Sequence, residues 1–202
     1  MLGVILAVVT MHAMPSAWVA STIAWTGITG YSARVTIFEQ NGTATQHLVF
    51  DYDFRKPSNA TMHVVAGPNS GVTLVWSGGT TVVAHRGSGL MALFKKKFSL
   101  HDAQTTTLRG SSIDQLSFGA ILSHAADTAG TLRQTNGPTI AGVATDEVSL
   151  VPTNSVIDTG LTREVVDLSK VTHFPVRLLG YVGPVLVRTI DFSNAVLAAN
   201  SP

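Results

Sequence analysis

Cysteine is absent from the 202 residues of this chain, and charged residues are scarce. The lack of cysteine excludes disulfides, thiolate catalysis and cysteine zinc sites. Charged residues make up 12% of the chain, whereas about 25% is typical of soluble domains. The formal net charge is +1, so there is no electrostatic reason to expect a nucleic-acid partner. The surface is therefore expected to be unusually neutral or apolar.

Groups suited to catalysis are also sparse. Three glutamates in the whole chain leave little material for a paired-carboxylate mechanism. No G-x-S-x-G motif presents a serine nucleophile, and Gly87-Ser88-Gly89 is typical of a flexible turn. His124 and Asp127 share a predicted helix face, but two ligands are too few for most metal sites, and we interpret both as surface or capping residues. We expect no catalytic residue, no metal, no cofactor and no enzymatic activity.

No charged residue precedes Arg34, and residues 2–9 form a continuous apolar run. That run is shorter than the about 20 residues that a spanning helix needs. It fits the hydrophobic region of a secretory signal, with small residues such as Ala17 and Ala20 near a possible cleavage point. We predict that residues 1–20 are a signal peptide or a retained anchor, that residues 21–202 form one domain, and that the protein is exported to the periplasm or cell envelope.

Alternation of apolar and polar side chains is the strongest pattern that is present. From Leu48 to Phe54, apolar and aromatic residues alternate with Val49, Asp51 and Asp53, which predicts a strand with one apolar face and one face toward water. Asn41-Gly42 is a strong hairpin signal before it. Similar runs separated by short turns predict about ten antiparallel strands. They are residues 31–40, 48–54, 61–65, 72–76, 81–85, 139–144, 148–151, 165–168, 176–182 and 185–192. Residues 86–109, with three consecutive lysines at 95–97, are predicted as loop or distorted strand.

Only two segments have helical spacing. One is Ser21–Gly30, and the other is Ser111–Ala125, where Ser112 and Gln115 form a capping box; residues 127–137 are predicted as a link. Two short helices cannot cover a wide curved sheet completely. The apolar face of the strands is therefore either ordinary core or the wall of a cavity for an apolar ligand.

In order along the chain, these segments resemble the LolA/LolB family of periplasmic lipoprotein carriers, together with RseB-type sensors and mycobacterial lipid-binding lipoproteins. The resemblance covers roughly residues 22–195. Six stretches carry it: Tyr31-Ser32-Ala33-Arg34-Val35, Phe54-Arg55-Lys56-Pro57, residues 73–83, Val166-Asp167-Leu168, Thr172-His173-Phe174-Pro175-Val176 and Ile190-Asp191-Phe192-Ser193-Asn194.

The resemblance implies an α+β, mainly β fold. Its sheet would be an unclosed antiparallel half-barrel of about ten or eleven strands, with short helices forming a lid over an apolar cavity that holds acyl chains. The implied cavity wall consists of Val35, Ile37, Leu48, Phe50, Tyr52, Phe54, Met62, Val64, Leu74 and Trp76. Family members carry an arginine before the strand-ending proline that helps to hold the lid shut. Lys56 occupies that position here, with Arg55 one residue earlier, so these two are the candidate lid latch.

The function implied by the resemblance is that of an exported, monomeric carrier. Its partners would be lipid acyl chains or a lipoprotein, with membrane-associated donor or acceptor proteins and no nucleic acid. The replacement of the family's aspartate in the hairpin at residues 73–83 by Gly78 suggests a cargo other than a lipoprotein. The alternative is an envelope sensor that uses the same fold to bind a partner protein, as RseB-type relatives do.

Overall fold

A computed structural model describes residues 14–87, 95–127, 131–151 and 160–199. Two helices and eleven strands form in this part of the chain. They are α1 (Ser16–Thr26), β1 (Ile28–Asn41), β2 (Ala44–Arg55), β3 (Asn59–Ala66), β4 (Val72–Trp76), β5 (Thr81–Arg86), β6 (Lys96–Ser99), α2 (Phe118–Asp127), β7 (Thr131–Ile140), β8 (Val143–Val151), β9 (Arg163–Ser169), β10 (Pro175–Val182) and β11 (Val185–Ala199). No helix among the described residues has both the length and the apolar character needed to cross a membrane.

All eleven strands belong to one antiparallel sheet in the order β6-β5-β4-β3-β2-β1-β11-β10-β9-β8-β7. Strands that follow one another in sequence are neighbours, as short connections favour. The pairing of β1 with β11, which sets Ile37 opposite Ile190, joins the N-terminal half (β1–β6) to the C-terminal half (β7–β11). The edges β6 and β7 stand at opposite ends, so the sheet is not closed. This confirms the predicted mainly β half-barrel.

The alternation predicted for β2 is confirmed. Phe50 and Tyr52 are buried, while Asp51 and Asp53 on the other face are exposed. Asp51 forms an ion pair of 2.6 Å with Arg34 on the neighbouring strand β1. Because side chains alternate along each strand, the whole sheet acquires one apolar inner face and one polar outer face.

A covering layer made of α1 and residues 100–127, which include α2, packs on the inner face. Phe118, the first residue of α2, contacts aromatic rings from both halves of the sheet. Its ring stacks on Tyr31 of β1 with centroids 3.9 Å apart, and it lies 5.1 Å from Phe192 of β11 and 5.2 Å from Phe174. The fold therefore has one core, and Phe118 lies at the junction of its two halves.

Several predicted boundaries are wrong, each because of tertiary contacts or an extended pairing. α1 begins at Ser16 rather than Ser21, and Trp18 on its inner face is 2% exposed. α2 begins at Phe118 rather than Ser111; the Gln115 side chain does accept a hydrogen bond from the backbone N–H of Ser112 (3.0 Å), but this closes a turn before the helix.

Two strands also differ from the predictions. Residues 131–140, predicted as a link and the start of another strand, form β7, which pairs with β8 through a turn at 141–142. Within residues 86–109, predicted as loop or distorted strand, Lys96–Ser99 forms the short edge strand β6. Residues 1–13 of the predicted signal, Ser88 of the dismissed serine motif and the three C-terminal residues lie outside the described part of the chain.

Candidate functional site

The predicted cavity wall occupies the inner face of the N-terminal half of the sheet. Nine of its ten residues are buried and belong to the core: Val35, Ile37, Leu48, Phe50, Tyr52, Phe54, Met62, Val64 and Leu74. Trp76 is half-buried, and its indole N–H donates a 3.0 Å hydrogen bond to the carbonyl of Gly79. The strand register places these side chains side by side, since Phe50 pairs with Val35 on one side and Val64 on the other. Their role in ligand binding stays a prediction.

Tyr52 of this wall and Tyr31, which pairs with the wall residue Phe54, hydrogen-bond to the covering layer. The hydroxyl of Tyr52 donates to the carbonyl of Ile113 at 2.8 Å, and the hydroxyl of Tyr31 accepts the N–H of Phe118 at 3.2 Å. Burial raises the pKa of both phenols, so they remain protonated donors across the physiological range. The aromatic row of β2, formed by Phe50, Tyr52 and Phe54, is thus covered by protein, and a ligand could reach it only after residues 111–118 move away.

The two candidate latch residues lie on opposite sides of the chain. The Lys56 ammonium donates to the carbonyl of Trp25, in the last turn of α1, and lies 4.2 Å from the centroid of the same indole ring. Burial lowers the pKa of Lys56. Arg55 is 79% exposed in its side chain and pairs at 3.4 Å with Asp53 on the outer face. Lys56 therefore has the geometry to hold α1, and Arg55 is directed away from it.

The helices of the covering layer approach closely where Gly119 meets Trp25. A methyl group added at Gly119 would lie 2.7 Å from the Trp25 ring atom Cζ2, closer than carbon atoms pack without displacement. The same ring contacts Phe54 with a centroid distance of 5.7 Å. Because residue 119 is glycine, the Trp25 indole of α1 can pack against α2 and against the wall at the same time.

A small cavity of about 70 Å³ lies beneath α2, against the C-terminal half of the sheet. Five of its apolar lining residues come from the sheet: Val148, Leu150, Val166, Leu178 and Ile190. Trp18 of α1 and Ala120 and Ile121 of α2 complete the apolar part. None of the ten predicted wall residues lines this cavity, so this cavity lies in the other half of the molecule from the predicted wall.

Five polar side chains line the rest of the cavity: Ser111, Gln115, His124, Glu164 and Arg188. Glu164 on β9 is 7% exposed. One of its carboxylate oxygens accepts a 2.6 Å hydrogen bond from Arg188, and the other lies 2.9 Å from His124 Nε2. Burial alone would raise the pKa of Glu164, but His124 and Arg188 outweigh it and hold that pKa below its ordinary value. The cavity therefore has an apolar body and a polar end with paired opposite charges.

Sequence reasoning missed this polar end. His124, interpreted as a surface or capping residue, instead links α2 to the sheet through Glu164; the side chain of Asp127 lies outside the described part. A signal was present in the strand patterns. Glu39 follows Val35 and Ile37 on the apolar face of β1, and Glu164 precedes Val166 on that of β9. A charged residue in an otherwise apolar strand face predicts a buried polar cluster.

No protein-family model matches the chain, and no curated protein matches it in sequence. Among solved structures, an uncharacterized conserved protein from Thermus thermophilus has a TM-score of 0.53 and 7% identity, over 92% of this chain and 87% of that protein. The lipoprotein LppX of Mycobacterium tuberculosis has a TM-score of 0.49 and 16% identity, over 94% and 98% of the two chains. A LolA superfamily protein from Nitrosomonas europaea has a TM-score of 0.39 and 11% identity, over 94% and 96%.

At such low identities these similarities concern the fold alone. The T. thermophilus protein has the highest TM-score of the three, and the comparison spans nearly all of this chain. The chain thus has the unclosed antiparallel half-barrel fold, with short helices on its inner face, that the sequence predicts.

Proposed function

We propose that this protein is an exported, non-enzymatic carrier that binds the acyl chains of a lipid or lipoprotein between its covering layer and the inner face of its sheet. The observation that supports this proposal is the cavity left beneath α2. It lies where two short helices of 11 and 10 residues face an eleven-stranded sheet, so protein alone does not fill the inner face. Apolar space beside a large apolar core is what an acyl chain requires.

The mechanism is shielding from water. Each buried methylene contributes about 0.8 kcal/mol, so a long chain gains many kilocalories by entering the protein. An apolar cavity of about 150 Å³ is known to bind benzene, which is much smaller than a long acyl chain, and the cavity here is about 70 Å³. The covering layer must therefore move outward to admit an acyl chain. Such a movement would expose the aromatic row of β2 and join it to the cavity in one chamber.

Export is proposed from the N-terminal sequence. Residues 2–9 form a continuous apolar run, and a run of this length fits the hydrophobic region of a secretory signal. A carrier for acyl chains is needed in an aqueous compartment between membranes, because such chains do not cross water unaided.

The test is native mass spectrometry with a matched pair of variants on α2. Ala120 lines the cavity, whereas Ser123 on the same helix is exposed. We expect purified wild-type protein and Ser123→Phe to bind one fluorescent fatty acid or extracted lipid per chain. Ala120→Phe fills the cavity and should reduce binding at least about tenfold, since the phenyl group occupies the apolar volume that the ligand needs.

Absence of any acyl-bearing species in the wild-type protein, with no uptake of the fluorescent fatty acid, would overturn the carrier proposal. The half-barrel would then be an interaction module, the alternative function stated from the sequence. Equal binding by Ala120→Phe and the wild type would instead overturn the assignment of the cavity as the entry point.

A further inference from the structure

The charges that line the cavity constrain the headgroup of its ligand. Glu164 and Arg188 are the two fully charged side chains in the lining, they are 7% and 6% exposed, and they contact each other at 2.6 Å. A charged headgroup placed beside this pair would bring a third charge into a poorly hydrated space without a counter-charge. Burying an unpaired charge costs several kcal/mol, so the lining disfavours both carboxylate and ammonium headgroups.

The polar end of the cavity offers hydrogen-bond partners to a neutral headgroup. The Ser111 hydroxyl and the Gln115 amide line the cavity. The backbone N–H of Ser111 donates to Thr107 Oγ1, and the Gln115 carbonyl oxygen accepts from Ser112. These bonds leave a hydroxyl and an amide NH₂ group, for which the described residues provide no hydrogen-bond partner. Both can serve an ester carbonyl or an alcohol, because the hydroxyl donates and accepts hydrogen bonds and the amide NH₂ group donates them.

We propose that the ligand of this cavity is an acyl lipid with a neutral ester or hydroxyl headgroup, held by Ser111 and Gln115 beside the Glu164–Arg188 pair. This inference rests on the proposed carrier function and adds the headgroup class to it. The acyl tail lies in the apolar part lined by Trp18, Val148 and Ile190. The headgroup lies toward His124, whose ring already hydrogen-bonds to Glu164.

The experiment compares two ligands with the same tail, monododecanoylglycerol and dodecanoate, on the full chain. Binding is measured by calorimetry and native mass spectrometry at about pH 8, well above the ordinary pKa values of carboxylic acids and imidazole. The wild-type protein should bind the glycerol ester at least about tenfold more tightly, a modest ratio beside the cost of one unpaired buried charge. Ser111→Ala should weaken binding of the ester severalfold and leave dodecanoate unchanged.

Glu164→Gln provides a control in which the charge balance of the lining changes. It removes the negative charge and leaves the positive charge of Arg188 in the lining, so the preference should shift toward dodecanoate by about tenfold or more. If Glu164→Gln does not fold, the comparison of the two ligands on the wild type and on Ser111→Ala still tests the headgroup inference. Equal or tighter binding of dodecanoate by the wild type overturns the headgroup inference and leaves the carrier proposal standing. Binding of neither ligand removes the proposed function itself.

Discussion

The hydroxyl of Tyr52, in the middle of β2, donates a 2.8 Å hydrogen bond to the backbone carbonyl of Ile113 in the covering layer. Tyr52 is 1% exposed and Ile113 is also 1% exposed, so this bond lies in the core. It fixes the segment before α2 directly over the aromatic row. The contact explains why the helix starts at Phe118: residues 111–117 form turns that deliver their carbonyls to the sheet.

Tyr52→Phe should destabilise the protein by about 1–3 kcal/mol, because the buried carbonyl of Ile113 loses its donor while the ring packing is retained. Urea denaturation monitored by circular dichroism measures the change. Tyr181→Phe is the control, since Tyr181 is only half-buried and stacks on Arg163 through its ring; it should change stability by less than about 0.5 kcal/mol. Equal effects of the two substitutions would contradict the assigned role of the Tyr52 hydroxyl.

Lys56→Met should loosen α1. The substitution keeps the aliphatic volume but removes the hydrogen bond to the Trp25 carbonyl and the cation–π contact with its ring, together about 1 kcal/mol. Amide hydrogen exchange of residues 16–26 should become faster. Arg55→Met, at the neighbouring exposed position on the outer face, should leave that exchange unchanged. Unaltered exchange in Lys56→Met would show that this lysine is not a latch.

Gly119→Ala should destabilise the junction of the two helices, although alanine normally favours a helix by about 1 kcal/mol over glycine. The added methyl group would meet the Trp25 ring at 2.7 Å, so the ring must leave its position against Phe54. We expect a red-shifted tryptophan fluorescence and a lower melting temperature. Gly27→Ala is the matched control, because its added methyl group meets its nearest neighbour at an ordinary 3.5 Å. A more stable Gly119→Ala protein would contradict this packing.

Asp167 should make stability fall as the pH rises. Burial, with the negative charge of Glu147 and a smaller contribution from Asp191, raises the pKa of Asp167 to about 6, against a partial opposing effect of Arg177. The folded protein therefore holds a proton that the unfolded chain has already lost between about pH 4 and pH 6, and stability decreases as the pH rises through that window. Above it, the ionised carboxylate is a cost to the folded state.

Asp167→Asn should therefore be more stable than the wild type above pH 6, by about 2 kcal/mol, and the difference should vanish near pH 4. Denaturation midpoints measured across this range give the comparison. Asp53→Asn is the control, since its carboxylate is 51% exposed. A wild-type stability that rises between pH 4 and 6, with no difference from Asp167→Asn, would contradict the raised pKa.

A chain shortened to begin at Ser21 should be much less stable than one that begins at Met14. Trp18 is 2% exposed, and the N–H of Ala17 donates a 3.0 Å hydrogen bond to the Gln134 side chain of β7. Loss of a buried tryptophan side chain alone costs about 3–5 kcal/mol. Thermal unfolding of the two purified proteins tests this expectation. Equal melting temperatures would mean that the first turn of α1 adds nothing to the core.

The sequence by itself determined most of the strands and, for β2, the face that the strand buries. Alternation along β2 predicted which residues would be inside, because successive side chains of a strand point to opposite faces whatever the strand pairs with. Short glycine-containing turns predicted antiparallel neighbours for the same local reason. The unclosed sheet was predicted from the resemblance to the LolA/LolB family. That resemblance also implied the number of strands, which local patterns alone indicate only roughly.

Tertiary structure alone decided the start of α2, the burial of Trp18 and the position of the cavity. The capping box at Ser112 satisfies local rules for a helix, but the carbonyl of Ile113 bonds to Tyr52, which lies 61 residues away in the chain. The pairing of His124 with Glu164 spans 40 residues in the same way. Such contacts depend on which distant surfaces the strand order of the sheet brings together, and local propensity and periodicity carry no information about residues so far apart in the chain.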